Sequence, residues 1–439
     1  VGNSQNLHVF RGNGPMWQNV ALFTGATLAA MFFLVVGANL LLRQRHIKYE
    51  FPNLPDAEDD RFEQSLQGII PESFSKGNRL RLLQNGEEAF PAMFEAIEQA
   101  QRTITFENYI YWSGEVGRRF AKLLANKSRQ GVSVHVHLDW LGSYKMDREL
   151  MDRLSQAGVD LHYYHAVKFG LLSEINHRTH RRVLVIDGRI AFTGGVAFAD
   201  PWAGSGDQPG QRRDTHYASA GPAVAAMQSI FGDNWLKTSG EILAGDDYYP
   251  SLDPRGDSVV ALVRSTPKER ITLARLLTLM FIGAAQKTIR IEQAYFVPDP
   301  YLVKSLAAQA KRGVQVEICL PGDQIDFKVV RHASRARWGP LLESGVQIFE
   351  YQPSMLHVKS ILIDDLWLLA GSANLDYRSL YRNDEICLIV RDRVFAAEHV
   401  ATFQQDRERS LEVTLADWQN RPRRTKLLDR AAALLRTQL

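Results

Sequence analysis

A histidine and a lysine stand two residues apart in the segment 355–376, and an aspartate and a glycine follow at fixed spacing. The pattern is H-x-K-x4-D-x6-G, formed by His357, Lys359, Asp364 and Gly371. Side chains two residues apart on an extended strand point to the same face. This segment therefore presents an imidazole beside an ammonium group. That pair suits phosphate-ester chemistry, which needs a nucleophile or proton carrier next to a positive charge.

The same pattern occurs a second time, in the segment 179–200. There it is formed by His180, Arg182, Asp187 and Gly194, with arginine in place of the lysine. A lone H-x-K would be weak evidence, but one match to the full spacing is expected about 0.01 times by chance in such a chain, and two matches far less often. The repeat therefore predicts two related units, each with one histidine, rather than two unrelated surface pairs.

The segments around both motifs alternate between apolar runs typical of buried strands and runs with helical apolar spacing. The first copy predicts helices at 88–101, 116–130 and 146–157 and strands at 103–111, 132–139 and 159–164. The second predicts helices at 271–286, 300–312 and 338–344 and strands at 288–296, 314–320 and 346–351. We therefore predict two homologous α/β halves, residues 78–262 and 263–413, with parallel or mixed sheets and helices outside.

The composition fits a globular protein with room for two or three domains, since 45% of the 439 residues are apolar and 23% are charged. The net charge of +3 permits an anionic partner without requiring one. Both cysteines, Cys319 and Cys387, lie in apolar runs. They are predicted to be buried thiols rather than part of a disulfide framework.

Residues 20–42 carry no charge and are numerous enough to cross a bilayer as a helix. Basic residues follow at 43, 45 and 48, so the positive-inside rule places residues 1–19 outside and the remaining chain in the cytoplasm. Residues 43–77 are acidic, contain three prolines and are predicted to form a juxtamembrane linker. A cleaved signal peptide and a buried helix of a soluble domain are the alternatives, and a second, earlier span stays open.

Several short sequence segments around the two histidines resemble those of one known family. They are NHRTH at 176–180, FTGG at 192–195, RDTH at 213–216, YFVP at 295–298, EYQP at 350–353 and MLH at 355–357. The paired motifs resemble those of the phospholipase D superfamily, and the flanking phrases resemble those of bacterial cardiolipin synthases. This resemblance implies that the two halves face each other across a pseudo-twofold axis, where their histidines meet.

The resemblance also implies roles at one shared site. His180 is expected to attack phosphorus, and His357 to protonate the leaving alkoxide and then activate the incoming alcohol. Arg182 and Lys359 are expected to bind the non-bridging phosphate oxygens. Each histidine needs a carboxylate that orients it, and one candidate lies roughly thirty residues beyond each motif histidine. The candidates are Asp214 and Glu385, and the expected helpers at the phosphate are Gly195, Ser372 and Asn374.

The aspartates Asp187 and Asp364 complete the catalytic motifs, and we expect them to accept backbone N–H groups in a turn rather than to move protons. The first copy departs from the family pattern at Arg182 and Ala197, where lysine and asparagine are usual. Altered substrate geometry, lower activity and a partly degenerate half are the alternatives there. No Cys/His cluster has zinc spacing and no glycine-rich nucleotide loop is present, so we expect neither a metal nor another cofactor.

Three further segments are predicted to contact a bilayer. The loop 165–175 carries Phe169, Leu171 and Leu172, and the basic segment 328–338 ends with Trp338. The tail, residues 414–439, contains a leucine stripe surrounded by arginines, which is typical of a helix on anionic lipid. Core packing, a solvated helix face and docking of the tail on the protein's own surface are the respective alternatives.

The sequence thus predicts a phosphatidyltransferase anchored in a bacterial inner membrane. A phosphatidyl group would pass from a donor phospholipid to a histidine and then to a hydroxyl, such as that of phosphatidylglycerol or glycerol. A phospholipase D or nuclease with water as acceptor, and a catalytically silent lipid-binding relative, are the alternatives. The weak net charge argues against a nucleic-acid partner, and the sequence leaves the identity of the lipids and the oligomeric state open.

Overall fold

The computed structural model describes residues 20, 23–27, 29–31, 33, 34, 49–164, 177–267 and 272–439. Two compact units divide the chain, residues 1–47 and residues 48–439. The described residues of the first unit are helical. Within the described ranges, no helix combines the length and the apolar character that crossing a bilayer requires. Much of the expected span at 20–42, and all of residues 1–19, lie outside the described residues.

The second unit is built on strands that are short and mostly buried. In chain order they are β1 (Ser75–Gln84), β2 (Thr103–Asn108), β3 (Ser133–Asp139), β4 (Asp160–Tyr164), β5 (Val183–Ile186), β6 (Ile190–Gly194), β7 (Arg212–Arg213), β8 (Thr215–Ala220), β9 (Ser258–Ser265), β10 (Thr288–Gln293), β11 (Gln315–Pro321), β12 (Gln347–Tyr351), β13 (Met355–Leu356), β14 (Lys359–Ile363), β15 (Trp367–Gly371), β16 (Glu385–Arg391) and β17 (Ser410–Glu412). One sheet of fifteen strands has the order β17-β12-β11-β10-β14-β15-β16-β9-β1-β8-β6-β5-β2-β3-β4, and β7 pairs with β13 separately.

Helices alternate with these strands. They are α1 (Asp60–Gln67), α2 (Asn85–Gln99), α3 (Glu115–Arg129), α4 (Arg148–Gln156), α5 (Ala223–Ser239), α6 (Leu273–Ala284), α7 (Pro300–Lys311), α8 (Lys328–Arg335), α9 (Trp338–Glu343), α10 (Tyr377–Tyr381), α11 (Arg393–Glu408), α12 (Leu415–Asn420) and α13 (Arg423–Leu434). Several helices are capped by a side chain at their N-terminus. Asp299, for example, accepts backbone N–H groups from the first turn of α7. The helices pack on both faces of the sheet, so strands such as β14 are buried at every residue.

The sheet consists of two equivalent halves. In the first half β2, β3 and β4 are parallel, and β5, β6 and β8 continue antiparallel. In the second half β10, β11 and β12, followed by β14, β15 and β16, repeat this arrangement. Strands β1 and β9 pair with each other and join the halves edge to edge. The predicted pair of α/β halves is therefore confirmed.

The expected linker at 43–77 instead contains ordered elements in its second part. Helix α1 packs into the core of the second half through Phe62 and Leu66, and Trp367 Nε1 donates a hydrogen bond to the carbonyl oxygen of Ala57 (2.8 Å). Only two residues of α1 are buried, so its apolar pattern is too sparse to predict a helix. The expected limits of the halves at 78 and 262 fall inside β1 and β9.

The motif aspartates lie in tight turns, Asp187 between β5 and β6 and Asp364 between β14 and β15, with φ of 51° and 52°. Asp187 accepts the backbone N–H groups of residues 101–103 at 2.7 to 2.9 Å. Asp364 accepts those of residues 286–288 over the same distances. Each carboxylate therefore fixes the beginning of β2 or β10, one strand length from its motif histidine, and this geometry supports a structural role.

The expected membrane contact of Trp338 is wrong. Residues 328–338 form α8 and the start of α9, and Trp338 is only 1% exposed because it packs into the core of the second half. Its Nε1 donates to Ser334 Oγ (2.9 Å), which satisfies the only polar atom of the indole. The other expected contacts in this group, Phe169, Leu171 and Leu172, lie outside the described residues.

Candidate active site

Each motif histidine is fixed by a backbone hydrogen bond to the opposite half. The N–H group of His180 donates to the carbonyl oxygen of Asp384 (2.8 Å), and that of His357 donates to the carbonyl oxygen of Arg213 (2.6 Å). Strands β7 and β13 pair in parallel beside the second of these contacts. Both histidines therefore lie at the junction of the halves, as the pseudo-twofold arrangement requires.

His180 is oriented by a buried carboxylate. Its Nδ1 lies 3.1 and 3.0 Å from the two carboxylate oxygens of Glu385, which also accepts a hydrogen bond from Ser372 Oγ. Burial raises the pKa of Glu385, but attraction to His180 and the hydroxyl hydrogen bonds outweigh it and lower that pKa. Burial lowers the pKa of His180, against the opposing charge of Glu385. The resting imidazole is therefore neutral, with Nδ1–H donating to Glu385 and Nε2 free to act as a nucleophile.

His357 has an equivalent arrangement with different partners. Its Nδ1 lies 2.6 Å from Asp214 Oδ2, which also accepts from Trp202 Nε1 (2.8 Å). Burial raises the pKa of Asp214, but the charges and hydrogen bond around it, led by His357 and including Lys359, lower it to about 2. Burial and the adjacent Lys359 lower the pKa of His357. We conclude that Asp214 is ionised and that the free site holds His357 neutral.

The two carboxylates pair across the halves. Asp214, from the first half, holds His357 of the second, and Glu385, from the second half, holds His180 of the first. The expectation from chain distance, that each carboxylate serves the motif histidine roughly thirty residues before it, is therefore wrong about the pairing. The cause is the short strand segment after each motif, which crosses the junction and delivers its carboxylate to the other histidine.

Two buried cations flank the histidines. Lys359 Nζ lies 3.0 Å from Nδ1 and 3.3 Å from Nε2 of His357 and donates to its carbonyl oxygen (2.6 Å). Arg182 Nη2 lies 3.5 Å from Nε2 of His180. Burial lowers the pKa of Lys359 to about 7, even though Asp214 opposes the shift. The charges of Arg182 and Lys359 both act on both histidines, so the arginine of the first copy supplies the cation that the second copy takes from lysine.

The three expected phosphate helpers differ in their surroundings. Gly195 lies so close to Asp214 that a Cβ at this position would overlap the carboxylate. Ser372, at the equivalent position in the second half, uses its hydroxyl for Glu385. Asn374 is buried, and its Oδ1, which can only accept, makes no hydrogen bond within the described part of the chain. Only its Nδ2 group could donate to a phosphate oxygen. Ala197 at the equivalent position has no polar group.

Replacing Gly195 with alanine is expected to displace Asp214 and release His357. The added Cβ would overlap a carboxylate that hydrogen bonds hold on several sides, so unfolding should become easier by about 2 kcal/mol. Activity should fall more than this stability loss explains. Thermal denaturation and transferase assays measure both effects. Ser372→Ala is the matched comparison at the equivalent position, where a hydrogen bond to Glu385 is lost and no atom is added. Equal Tm and activity in Gly195→Ala and wild-type protein would contradict this reading.

Two aromatic residues at the site were not predicted from the sequence. Trp202 contacts His357 edge to face with ring centroids 5.1 Å apart, and Tyr109 contacts His180 at the same distance. Trp202 lies in a short 3-10 turn, Asp200–Trp202, at the position that corresponds to Ser379, which helps to lower the pKa of Glu385 in the second half. Alignment of the two copies beyond their glycines would have identified this position.

Among the described residues, one group of metal-ligand type has its donor atoms within mutual reach. It is formed by His135, Asp160 and Glu241. His135 lies near the beginning of β3, whereas Asp139 at the end of β3 accepts the backbone N–H of Thr179 beside His180 (3.2 Å). This group is therefore separate from the histidine pair, which uses its own ring nitrogens for the carboxylates.

Comparisons with known proteins agree with this geometry. Residues 93–201 and 279–407 match the family described as cardiolipin synthase, PLD-like domain. Cardiolipin synthase of Geobacillus kaustophilus is 33% identical over 92% of this chain and 85% of its own length. Cardiolipin synthase A of Pseudomonas fluorescens is 33% identical over 82% of this chain and 74% of its own length. The crystal structure of phosphatidylserine synthase from Haemophilus influenzae has a TM-score of 0.65 at 15% identity, covering 86% of this chain and 99% of that one, and supports the fold.

Two α/β halves that each contribute one histidine, one cation and the carboxylate of the other histidine define a phospholipase D-like protein. The family match covers more than half of the chain, and the curated relatives exceed 30% identity over most of its length. The chain belongs to the cardiolipin synthase family, which confirms the predicted resemblance.

Proposed function

We propose that the protein is a phosphatidyltransferase of the cardiolipin synthase type that moves a phosphatidyl group from one phospholipid to the hydroxyl of another. The observation that carries this proposal is the pair of buried histidine–carboxylate units with Arg182 and Lys359 beside them. One histidine can hold the phosphatidyl group while the other handles protons, and the two cations neutralise the phosphate. Curated relatives named cardiolipin synthase support the same reaction class.

The first step forms a covalent phosphatidyl-histidine. Nε2 of His180 attacks the phosphorus of the donor, a P–N bond forms, and the P–O bond to the leaving alcohol breaks. The departing alkoxide takes a proton from His357. The free site holds His357 neutral, but the negative charge of a bound phosphodiester favours its protonated form, which Asp214 stabilises. Arg182 and Lys359 stabilise the charge that develops on the non-bridging oxygens.

The second step reverses these roles. His357, now neutral, takes the proton of the incoming hydroxyl, and the resulting alkoxide attacks phosphorus while the P–N bond to His180 breaks. An alcohol as acceptor gives transfer, and water gives hydrolysis. A phospholipase D is therefore the second candidate function at the same site. The proposal includes a membrane anchor at residues 20–42 and a catalytic unit in the cytoplasm. The uncharged segment supports the anchor, and the basic residues that follow it support the orientation.

Product analysis tests the proposed function. Purified protein is incubated with vesicles of isotopically labelled phosphatidylglycerol, with and without added glycerol, and the lipids are identified by mass spectrometry. Labelled cardiolipin and released glycerol are the expected products, and added glycerol should drive the reaction backwards. Phosphatidic acid as the main product would indicate the hydrolase. Absence of both products, with wild-type and His180→Ala protein giving the same result, would reject the enzyme.

The pH profile should depend on Lys359. Its pKa near 7 means that the ammonium is present below pH 7 and is lost as the pH rises through that value. The kcat/KM for phosphatidyl transfer should therefore decline on the basic side of neutrality. Lys359→Arg keeps its charge across the working range, so its basic limb should move upward by about 2 pH units or more. Arg182→Lys is the matched control, since it adds a second titrating ammonium; a basic limb identical in all three proteins would remove Lys359 from this role.

A further inference from the structure

Large apolar side chains are exposed in the loops beyond the carboxyl ends of β3 and β11. Trp140, Leu141 and Tyr144 follow β3, and Phe327 lies between β11 and α8; Tyr144 is 68% exposed and Phe327 is 59% exposed. Strands β3 and β11 occupy equivalent positions in the two halves. Each half therefore presents an aromatic loop at the same end of the sheet, although burial of these side chains would be favourable.

Both loops are connected to the active site by short contacts. Asp139 accepts the backbone N–H of Leu141 (2.9 Å) and that of Thr179 (3.2 Å), the residue before His180. On the other half, Asp326 pairs with Arg212 (3.4 Å). The guanidinium of Arg212 lies over the ring of Trp202, which contacts His357. These contacts therefore link both exposed loops to the surroundings of the histidine pair.

Helix α13, which packs against α8, carries a third group of exposed apolar side chains. Its inner face packs on α8 through Ala432 and through Asp429, which binds His332 Nδ1 (2.8 Å) and Arg421 Nε (2.7 Å). The chain end is tied to the motif of the second half, since the carbonyl oxygen of Leu439 accepts the backbone N–H of Arg378 (3.2 Å). The outer face of α13 presents exposed leucines at positions 427, 428 and 434.

The charge around these leucines is positive. Residues 421–439 contain six basic residues and a single acid, Asp429. That acid is buried on the inner face and paired, whereas Arg423, Arg424 and Arg430 are exposed beside the leucines. Docking on the protein, which was the alternative to a helix on lipid, thus involves one face of α13 and leaves a basic, apolar face outside. Such a face matches the headgroups and the acyl boundary of an anionic bilayer.

We propose that these side chains form one entrance surface that lies on an anionic phospholipid bilayer and passes headgroups into the histidine pair. The entrance surface consists of Trp140, Leu141, Tyr144, Phe327, Leu427, Leu428 and Leu434. Each of its three parts is connected to the site by the contacts above, and aromatic side chains with flanking basic residues are typical of the bilayer interface. The proposal rests on the proposed function, because a phospholipid substrate must bring its phosphate to buried histidines while its acyl chains stay in the bilayer.

Site-specific fluorescence tests the entrance surface in the full-length protein. The two native cysteines are buried, so Leu427→Cys and Tyr144→Cys variants can each be labelled selectively with an environment-sensitive fluorophore. On vesicles containing phosphatidylglycerol, we expect blue-shifted emission and quenching by brominated acyl chains from both labels. Val394→Cys is the matched control, since Val394 is 75% exposed on α11 and its label should stay in water.

Each alternative outcome counts against the proposal. Labels at 427 and 144 that stay in water while the protein co-sediments with vesicles would overturn it, as would equal responses on neutral phosphatidylcholine. A blue shift without lipid that grows with protein concentration would assign the surface to a second copy of the chain. Labelling needs no turnover, so an inactive protein with lipid-contacting labels would reject the proposed function and keep the surface.

Activity provides a second readout. The double variant Leu427→Ser/Leu434→Ser should raise KM for a vesicle-bound donor about tenfold and leave kcat/KM for a water-soluble, short-chain donor unchanged. The side chains are exposed, so Tm should not change, and Val394→Ser serves as the control. Equal losses with both donors would mean that α13 supports the fold of the site rather than its contact with the bilayer.

Discussion

Replacing His180 with alanine is expected to lower the rate of phosphatidyl transfer by about 10⁴-fold and to abolish the covalent phosphatidyl-protein. Glu385 holds Nδ1 of this imidazole, which leaves Nε2 as the nucleophilic atom beside Arg182. Acid quenching of the wild-type protein during turnover, followed by peptide mass spectrometry, should place the phosphatidyl group on the peptide that contains His180. A label on the peptide that contains His357 would reverse the assignment.

The matched variant His357→Ala should separate the two chemical steps. With an activated donor, such as a 4-nitrophenyl phosphodiester, the leaving group needs no proton, so formation of the covalent intermediate should stay fast. Its breakdown should be slow, because no base deprotonates the acceptor. The variant should therefore release one burst of nitrophenol and accumulate phosphatidyl-His180. His162→Ala, at a partly exposed histidine outside the site, controls for nonspecific effects; steady turnover by His357→Ala would exclude the two-histidine mechanism.

Glu385→Gln is expected to slow transfer by about 10⁴-fold, as for loss of the orienting carboxylate in a catalytic triad. A glutamine amide donates to Nδ1 and so favours the tautomer that carries its proton on Nε2, which removes the nucleophilic lone pair of His180. The loss should appear in formation of the covalent intermediate, even though Glu385 belongs to the other half. Rapid mixing with the activated donor measures this step directly.

Asp214→Asn is the matched control for the crossed pairing. Asp214 holds His357, so this variant should form the intermediate from the activated donor at nearly the wild-type rate and break it down slowly. The pH profile adds a second check. Removing the charge of Glu385 lowers the pKa of His180 further, so the acidic limb for intermediate formation should move to lower pH only in Glu385→Gln. The opposite pattern in the two variants would mean that each carboxylate serves its own half.

The spacing of the motifs was sufficient to predict the two halves and the cations beside the histidines. This spacing is set by local structure. Side chains alternate along a strand, and Asp187 and Asp364 each lie in the turn that follows their strand. The carboxylates Asp214 and Glu385 were predicted from the sequence, but the histidine that each one holds was not predicted correctly. Asp214 and His357 are 143 residues apart in the chain, and Glu385 and His180 are 205 residues apart. Only the docking of one half on the other determines which carboxylate reaches which ring.

Helix α1 and Trp338 show the same limit at a smaller scale. The acidic, proline-containing segment before β1 indicates a linker, yet two apolar side chains are enough to fix α1 on the second half. Trp338 follows a basic run, which favours a surface position, but a break between α8 and α9 turns it into the core. In both cases tertiary packing outweighs the local pattern.

The crossed pairing also constrains the history of the chain. A single half holds a histidine and a carboxylate that cannot complete each other, so an ancestor with one motif would have built a site only as a homodimer. Fusion of two copies ended the requirement that both partners be identical. Gly195 and Trp202 now stand where the other copy has Ser372 and Ser379. Gly195 leaves room for Asp214 and Trp202 donates to it, whereas Ser372 donates to Glu385. Each copy has thus become specialised for the carboxylate that it contributes.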